Sequence, residues 1–130
     1  MNRALTLGLA ALLMLGSGCA GLQQGASVEV QVFNVIEAWK AAWLSSDIEA
    51  TKKVYSKNFV GDFQPDILES EDFAEFVADA DIDTGHATIT IEGNTATVGP
   101  IYIEDVIEIQ HTLTKESDGW KITGTKGEEM

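Results

Sequence analysis

The chain has 130 residues, 45% of them hydrophobic and 22% charged, with 8 Lys or Arg against 21 Asp or Glu, a formal charge of −13 at pH 7. So acidic a chain repels phosphate, which argues against nucleic acid or a bare anionic membrane as a partner. A single cysteine excludes an intrachain disulfide and a cysteine-based zinc site, and two histidines far apart in sequence give no transition-metal pattern.

Arg3 is followed by an apolar run from Ala4 to Leu15, then by Gly16-Ser17-Gly18 before Cys19. This is the three-part layout of a secretory signal, and the run is short of the about 20 residues that span a bilayer. Small residues directly before a lone cysteine resemble a bacterial lipoprotein signal. The aliphatic residue usual three places before the cysteine is replaced by Gly16, with Leu15 one place further back. The resemblance implies that residues 1–18 are removed and that Cys19 carries a diacylglyceryl group, whose two acyl chains suffice for stable membrane attachment. Ala20, not aspartate, follows, which in a Gram-negative source implies an outer-membrane anchor facing the periplasm. The alternative is an ordinary secretory signal cut near Gly18 or Ala20. Loss of Arg3 leaves seven lysines against the same 21 acids, a net charge of −14.

Residues 19–27 are small and polar and read as a tether to a domain over 28–126, with 127–130 as an acidic tail. Val28, Val32, Ile36, Trp39 and Trp43 recur at spacings of three and four, the stripe of a first helix. Ser46, with Glu49 three places on, predicts the cap of a short second helix in which Ile48, Lys52 and Tyr55 share a face and Ala50 and Val54 help it pack. Phe59 and Phe63 fall in an extended segment ended by Pro65. Ser70 or Asp66 begins a third helix with Phe73, Phe76, Val77 and Ala80 on its apolar side.

From Ala87 the period changes to two: Ala87, Ile89 and Ile91 alternate with Thr88, Thr90 and Glu92 before a Gly93-Asn94 turn. Ala96 and Val98 follow, and Pro100 predicts an edge, a bulge or a bend, since proline cannot donate to a ladder. Ile107, Ile109, His111 and Leu113 share one face of the next strand, and Trp120 to Thr123 form a last one. The expectation is an α+β domain in which three N-terminal helices pack on a mainly antiparallel sheet.

In this order, Trp39-Lys40-Ala41-Ala42-Trp43, Ser46-Asp47 and Val54 to Val60, then Ile91 to Val98 and Lys115 to Ile122, resemble the nuclear transport factor 2-like superfamily, which includes ketosteroid isomerase and scytalone dehydratase. The likeness covers about residues 28–124. It implies a strongly curved sheet wrapping the helices into a cone, an apolar cavity, and a homodimer through an outer sheet face bearing Thr95, Thr97, Glu108, Gln110 and Thr112. Such a fold predicts a pocket better than it predicts chemistry.

The isomerase chemistry does not carry over residue by residue. Its carbonyl-polarising tyrosine falls on Trp39 and its base on Phe63, while Asp62, one place earlier, points away unless a bulge intervenes. A lyase reading would use His111 as general base with Asp62 or Tyr55, and requires the ring within about 3.2 Å of a partner; the alternative is a core histidine. His86 reads as a solvated loop residue. Asp79, Asp81 and Asp83 lack the glycine and glutamate of an EF-hand loop and read as part of a solvated acidic face that includes Glu69, Glu71, Asp72 and Glu75. Trp39, Tyr55, Phe63, Tyr102 and His111 are the candidates to line a cavity, for a small apolar ligand and without a cofactor. Three functions remain: a lipid-anchored binding or accessory module, a protein-interaction domain of the cell envelope, and a small lyase or isomerase.

Overall fold

The computed structural model describes residues 27–130; the expected signal segment, the expected lipidation site Cys19 and the expected tether up to residue 26 lie outside the described residues. Helix α1 (Val28–Leu44) is capped by Ser27, whose Oγ accepts from the Val30 N–H at 3.2 Å. Val32, Ile36, Trp39 and Trp43 are fully buried, so the stripe at spacings of three and four is its core face. Helix α2 (Ile48–Val54) is capped by Asp47, not Ser46: the Asp47 carboxylate accepts from Ala50 at 3.0 Å. Ser46 instead takes φ +54° in the sharp link between the helices. Thr51 is the buried residue of α2, and Tyr55 lies past its end, opening a strand.

Strand β1 (Tyr55–Gly61) leads to a 3-10 turn (Ile67–Glu69) and α3 (Glu71–Ala78), which Ser70 caps; Asp66 makes no capping bond at the 3-10 turn. Only Val77 of α3 is fully buried; Phe73 is half-buried and Phe76 is exposed. The remaining strands are β2 (Ile82–Asp83), β3 (Thr88–Glu92), β4 (Thr95–Ile103), β5 (Ile107–Glu116) and β6 (Gly119–Glu129). They form one six-stranded sheet in the order β1-β6-β5-β4-β2, with β3 also paired to β4. All pairings are antiparallel except β1 with β6. The fold is thus α+β, three helices against a curved, unclosed sheet. Among the described residues no helix is long and apolar enough to cross a membrane.

Two single-residue bulges, one on each flank of β5, bend that sheet. Between Val98↔His111 and Ile101↔Ile109, β4 uses one residue more than β5, at Gly99-Pro100. Between Thr112↔Gly124 and Leu113↔Ile122, β6 uses one more, at Thr123. Because side chains alternate with period two, each extra residue exchanges faces. The buried set of β4 passes from Ala96 and Val98 to Ile101 and Ile103, that of β6 from Trp120 and Ile122 to Thr125, while β5 keeps Ile109, His111 and Leu113 inward throughout.

The last strand runs on through the stretch expected to be an acidic tail. Glu128 pairs with Glu108 and Glu129 with Ile107, and the Met130 N–H donates to the Val106 carbonyl at 2.8 Å. The outer face carries exposed Thr95, Glu108 and Gln110 and half-buried Thr97 and Thr112, a polar surface.

Candidate functional site

The interior under the sheet is a stack of aromatic rings. Trp39 lies 4.6 Å from Trp43 between ring centroids and 4.5 Å, edge-on, from His111. Trp43 meets the edge of Phe73 at 5.1 Å and that of Phe63 at 6.0 Å. Helical spacing puts both tryptophans on one face of α1, and β5 presents His111 beneath Trp39. Trp39, Trp43 and His111 are all completely buried. The open aromatic cavity expected around Trp39, Tyr55 and His111 is therefore filled by those side chains themselves.

His111 Nδ1 is 2.8 Å from Thr125 Oγ1, its cross-strand neighbour, and its Nε2 is buried without a hydrogen-bond partner. Burial depresses its pKa to about 3, so the ring is neutral at physiological pH. The Tyr55 hydroxyl donates a long bond of 3.4 Å to the Phe63 carbonyl. Burial raises its pKa well above the usual phenol value, against the weaker opposing effects of the Trp39 and Thr125 side chains. The Trp39 N–H is thus near the phenol oxygen yet falls short of hydrogen-bond geometry; it and the Trp43 and Trp120 N–H groups are buried without partners.

The Asp62 carboxylate is engaged elsewhere: it accepts from the Gly127 N–H at 3.0 Å, on an exposed edge. Asp62 and His111 therefore have different partners, and the pairing a lyase would need is not formed. Tyr102 also lies apart from the interior. The Gly99-Pro100 bulge turns Ile101 and Ile103 inward, leaving Tyr102 on the other face, 6.2 Å from the ring of exposed His86. His86 Nδ1 is 3.0 Å from the Asp83 carboxylate. That carboxyl is held below its usual pKa chiefly by the Gly85 N–H, against desolvation, with smaller lowering contributions from His86 and Lys40. Among the described residues no group of three His, Cys, Asp or Glu side chains is placed to hold a metal ion.

Two surface clefts bear on the sequence candidates. One, of about 500 Å³, is lined by Asp62, Phe63, Ile67, Phe73, Ile107, Gly127, Glu128 and Glu129. It lies where the segment after β1 and the helix α3 meet the free end of β6, and Phe63 and Phe73 stand between it and Trp43. The other, of about 400 Å³, has Tyr55, Phe59 and Pro65 as its apolar part, ringed by Lys52, Lys57, Gln64, Asp66 and Glu69. Of the five cavity candidates, then, Phe63 and Tyr55 face different clefts, Trp39 and His111 are core, and Tyr102 belongs to neither.

Phe63 adopts φ +58°, a left-handed conformation that costs a residue with a side chain about 1 kcal/mol or more. The segment is held by the Asp62 N–H donating to the Thr125 carbonyl at 2.9 Å and the Gln64 side-chain amide donating to the Gly61 carbonyl at 2.7 Å. Its ring rests on Gly127, where a Cβ would come within 2.1 Å of Phe63 Cε2. Gly127 was not singled out by sequence, because only the bulged register of β6 brings it under Phe63; a glycine inside a strand is the one signal that pointed to close approach.

No protein-family model matches the chain, and no curated protein matches it in sequence. Solved structures do match in shape. An NTF2-like protein with a cystatin-like fold from Novosphingobium aromaticivorans superposes with a TM-score of 0.62 at 19% identity, over 92% of this chain and 86% of that one. An NTF2-like protein from Cytophaga hutchinsonii gives 0.64 at 9% identity, over 80% and 99%. A candidate dehydratase of the NTF2-like family from Streptomyces avermitilis gives 0.56 at 15%, over 77% and 94%. The three helices cupped by a bulged, open sheet are thus the nuclear transport factor 2-like fold, as the order of sequence elements implied.

Proposed function

We propose that this domain is a small-molecule-binding module of the cell envelope, held there by a lipid on Cys19, which takes a neutral and mainly apolar ligand in the cleft beside Phe63. The observation that carries this reading is the lining of that cleft: Phe63, Ile67, Phe73 and Ile107 form an apolar wall over about 500 Å³, within the range of small-ligand sites. Asp62, Glu128 and Glu129 rim it, so an anion is repelled while a neutral guest is not. Neighbours in shape that are described as dehydratase or isomerase candidates are compatible with a ligand-handling domain. Catalysis by His111 is disfavoured by its complete enclosure and by the absence of a carboxylate partner.

Titration of the purified protein with Nile red, a neutral dye, tests this reading. Saturable binding with a stoichiometry of one is expected, together with weaker binding of the anionic dye anilinonaphthalene sulfonate. Ile107→Gln, which places an amide in the cleft wall, is expected to weaken Nile red about tenfold. No saturable binding, or an isotherm unchanged by Ile107→Gln, overturns it.

A further inference from the structure

Lysine is unevenly placed along this chain. Of its seven lysines, three lie at 52–57 and three at 115–126, and none falls between Asn58 and Thr114. The parallel pairing of β1 with β6, in which Tyr55 stands opposite Ile122, folds these two segments against each other. There Lys52, Lys53, Lys57 and Lys121 line a cleft of about 520 Å³ where the end of α2 and the start of β1 meet the β5–β6 turn. Among the described residues its walls take nothing from α1 or α3, so it is separate from the interior stack and from the cleft beside Phe63.

Four ammonium groups share that lining with two carboxylates, and both carboxylates are engaged. Glu116 accepts a 2.7 Å bond from the buried Ser56 hydroxyl, which ties the turn to β1, and Asp118 lies 3.5 Å from Lys121. Lys121 is held in place by donating to the Lys53 carbonyl at 2.7 Å, and Lys52 lies 3.7 Å from Glu69. Lys53 and Lys57 form no ion pair among the described residues, in a chain with 21 acids to seven lysines. The distant acids do not cancel them, because exposed charges further apart than about 8 Å are largely screened at physiological ionic strength. This cleft also runs into the one whose apolar part is Tyr55, Phe59 and Pro65: Lys52, Tyr55, Ser56 and Lys57 line both.

We infer that the joined clefts bind a small dissolved amphipathic anion, a phosphate monoester or carboxylate with an aromatic or short alkyl body. Its oxyanion meets Lys53, Lys57 and Lys121, which act as point charges toward such groups. Its body lies on Tyr55 and Phe59, whose rings stand 4.8 Å apart between centroids, and on Pro65. An anionic bilayer carries the same headgroup chemistry, but it brings many like charges up to a domain with 21 acids, whereas one dissolved anion meets the local lysines. This site prefers the opposite charge to the cleft beside Phe63, which Asp62, Glu128 and Glu129 rim.

Phenyl phosphate serves as the probe, with binding read from the backbone amide resonances of the purified protein. Saturable shifts are expected at residues 53–58 and 116–121, and none at Ile107 or Gly127. Lys53→Gln together with Lys57→Gln is expected to weaken binding about tenfold. Lys115→Gln together with Lys126→Gln removes the same charge away from the cleft and is expected to change binding by less than about twofold. All four lysines are exposed, so both double variants are expected to fold. Phenol, which lacks the charge, and inorganic phosphate, which lacks the ring, are each expected to bind about tenfold more weakly than phenyl phosphate. No saturable shift, or equal losses in the two double variants, overturns the inference. Phosphatidylglycerol vesicles bound through Lys53 and Lys57, without binding of phenyl phosphate, also overturn it and assign these lysines to a lipid headgroup. Nile red binding is expected to be unchanged in the Lys53→Gln, Lys57→Gln variant, so the failure of either site leaves the other standing.

Discussion

At the scale of single residues, His111 shows how burial decides chemistry. Its ring lies on the inward face of β5, and Thr125 satisfies one nitrogen. In the unfolded chain the imidazole titrates near 6.5, whereas in the fold burial lowers its pKa to about 3. Between these values the unfolded state holds the extra proton, so stability falls as pH drops below about 6.5, by up to about 1.4 kcal/mol per unit, until the folded form also protonates near pH 3. Denaturant unfolding from pH 7 to 4 is expected to show this slope, and His111→Leu to remove its share while other groups' contributions stay. An unchanged slope in His111→Leu would place the pH sensitivity elsewhere. The same burial explains why His111 could be read from sequence as an inward residue but not as a base. Alternation fixes the face a side chain takes, whereas the identity of its partner depends on the register of the neighbouring strand.

At the scale of elements, the helices and the alternating strands were legible because each carries its own period. The α1 stripe and the inward set of β5 are those the spacing gives. The bulges were not equally legible. Pro100 announces one of them, since a residue without an N–H leaves the ladder, but nothing in Trp120-Lys121-Ile122-Thr123 marks Thr123 as an extra residue. Missing that exchange of faces ends the sheet too early and leaves Thr125 and Gly127 outside the site. The misplacement of Tyr102 has the same origin on β4. The junction of β1 with β6 rests on another local requirement: Gly61 takes φ +130°, and a Cβ there would lie 2.3 Å from the Thr125 carbonyl oxygen. Backbone, unlike a side-chain end, cannot swing aside. Gly61→Ala is accordingly expected to cost about 3 kcal/mol, read as a lower midpoint in denaturant with little change in slope. A loss below about 0.5 kcal/mol would mean that β1 shifts freely along β6.

At the scale of the whole molecule, the proposal assigns attachment to Cys19 and ligand handling to the fold. Among the described residues no helix is long and apolar enough to cross a membrane, and the outer sheet face is polar. We propose that attachment to the membrane is through a lipid on Cys19. Each buried CH₂ contributes about 0.8 kcal/mol, so two acyl chains hold a domain of this size firmly, while none leaves it free. In a bacterial host, Cys19→Ser is expected to move the protein from the membrane pellet to the soluble fraction or to leave it unprocessed, and labelled fatty acid to appear in the wild type only. Nile red binding by the released domain should be unchanged, because the cleft beside Phe63 is built entirely from residues 62–129. Persistence of Cys19→Ser in the pellet after high-salt washing, with normal processing, would locate the attachment in the folded domain and make its polar face the surface to study.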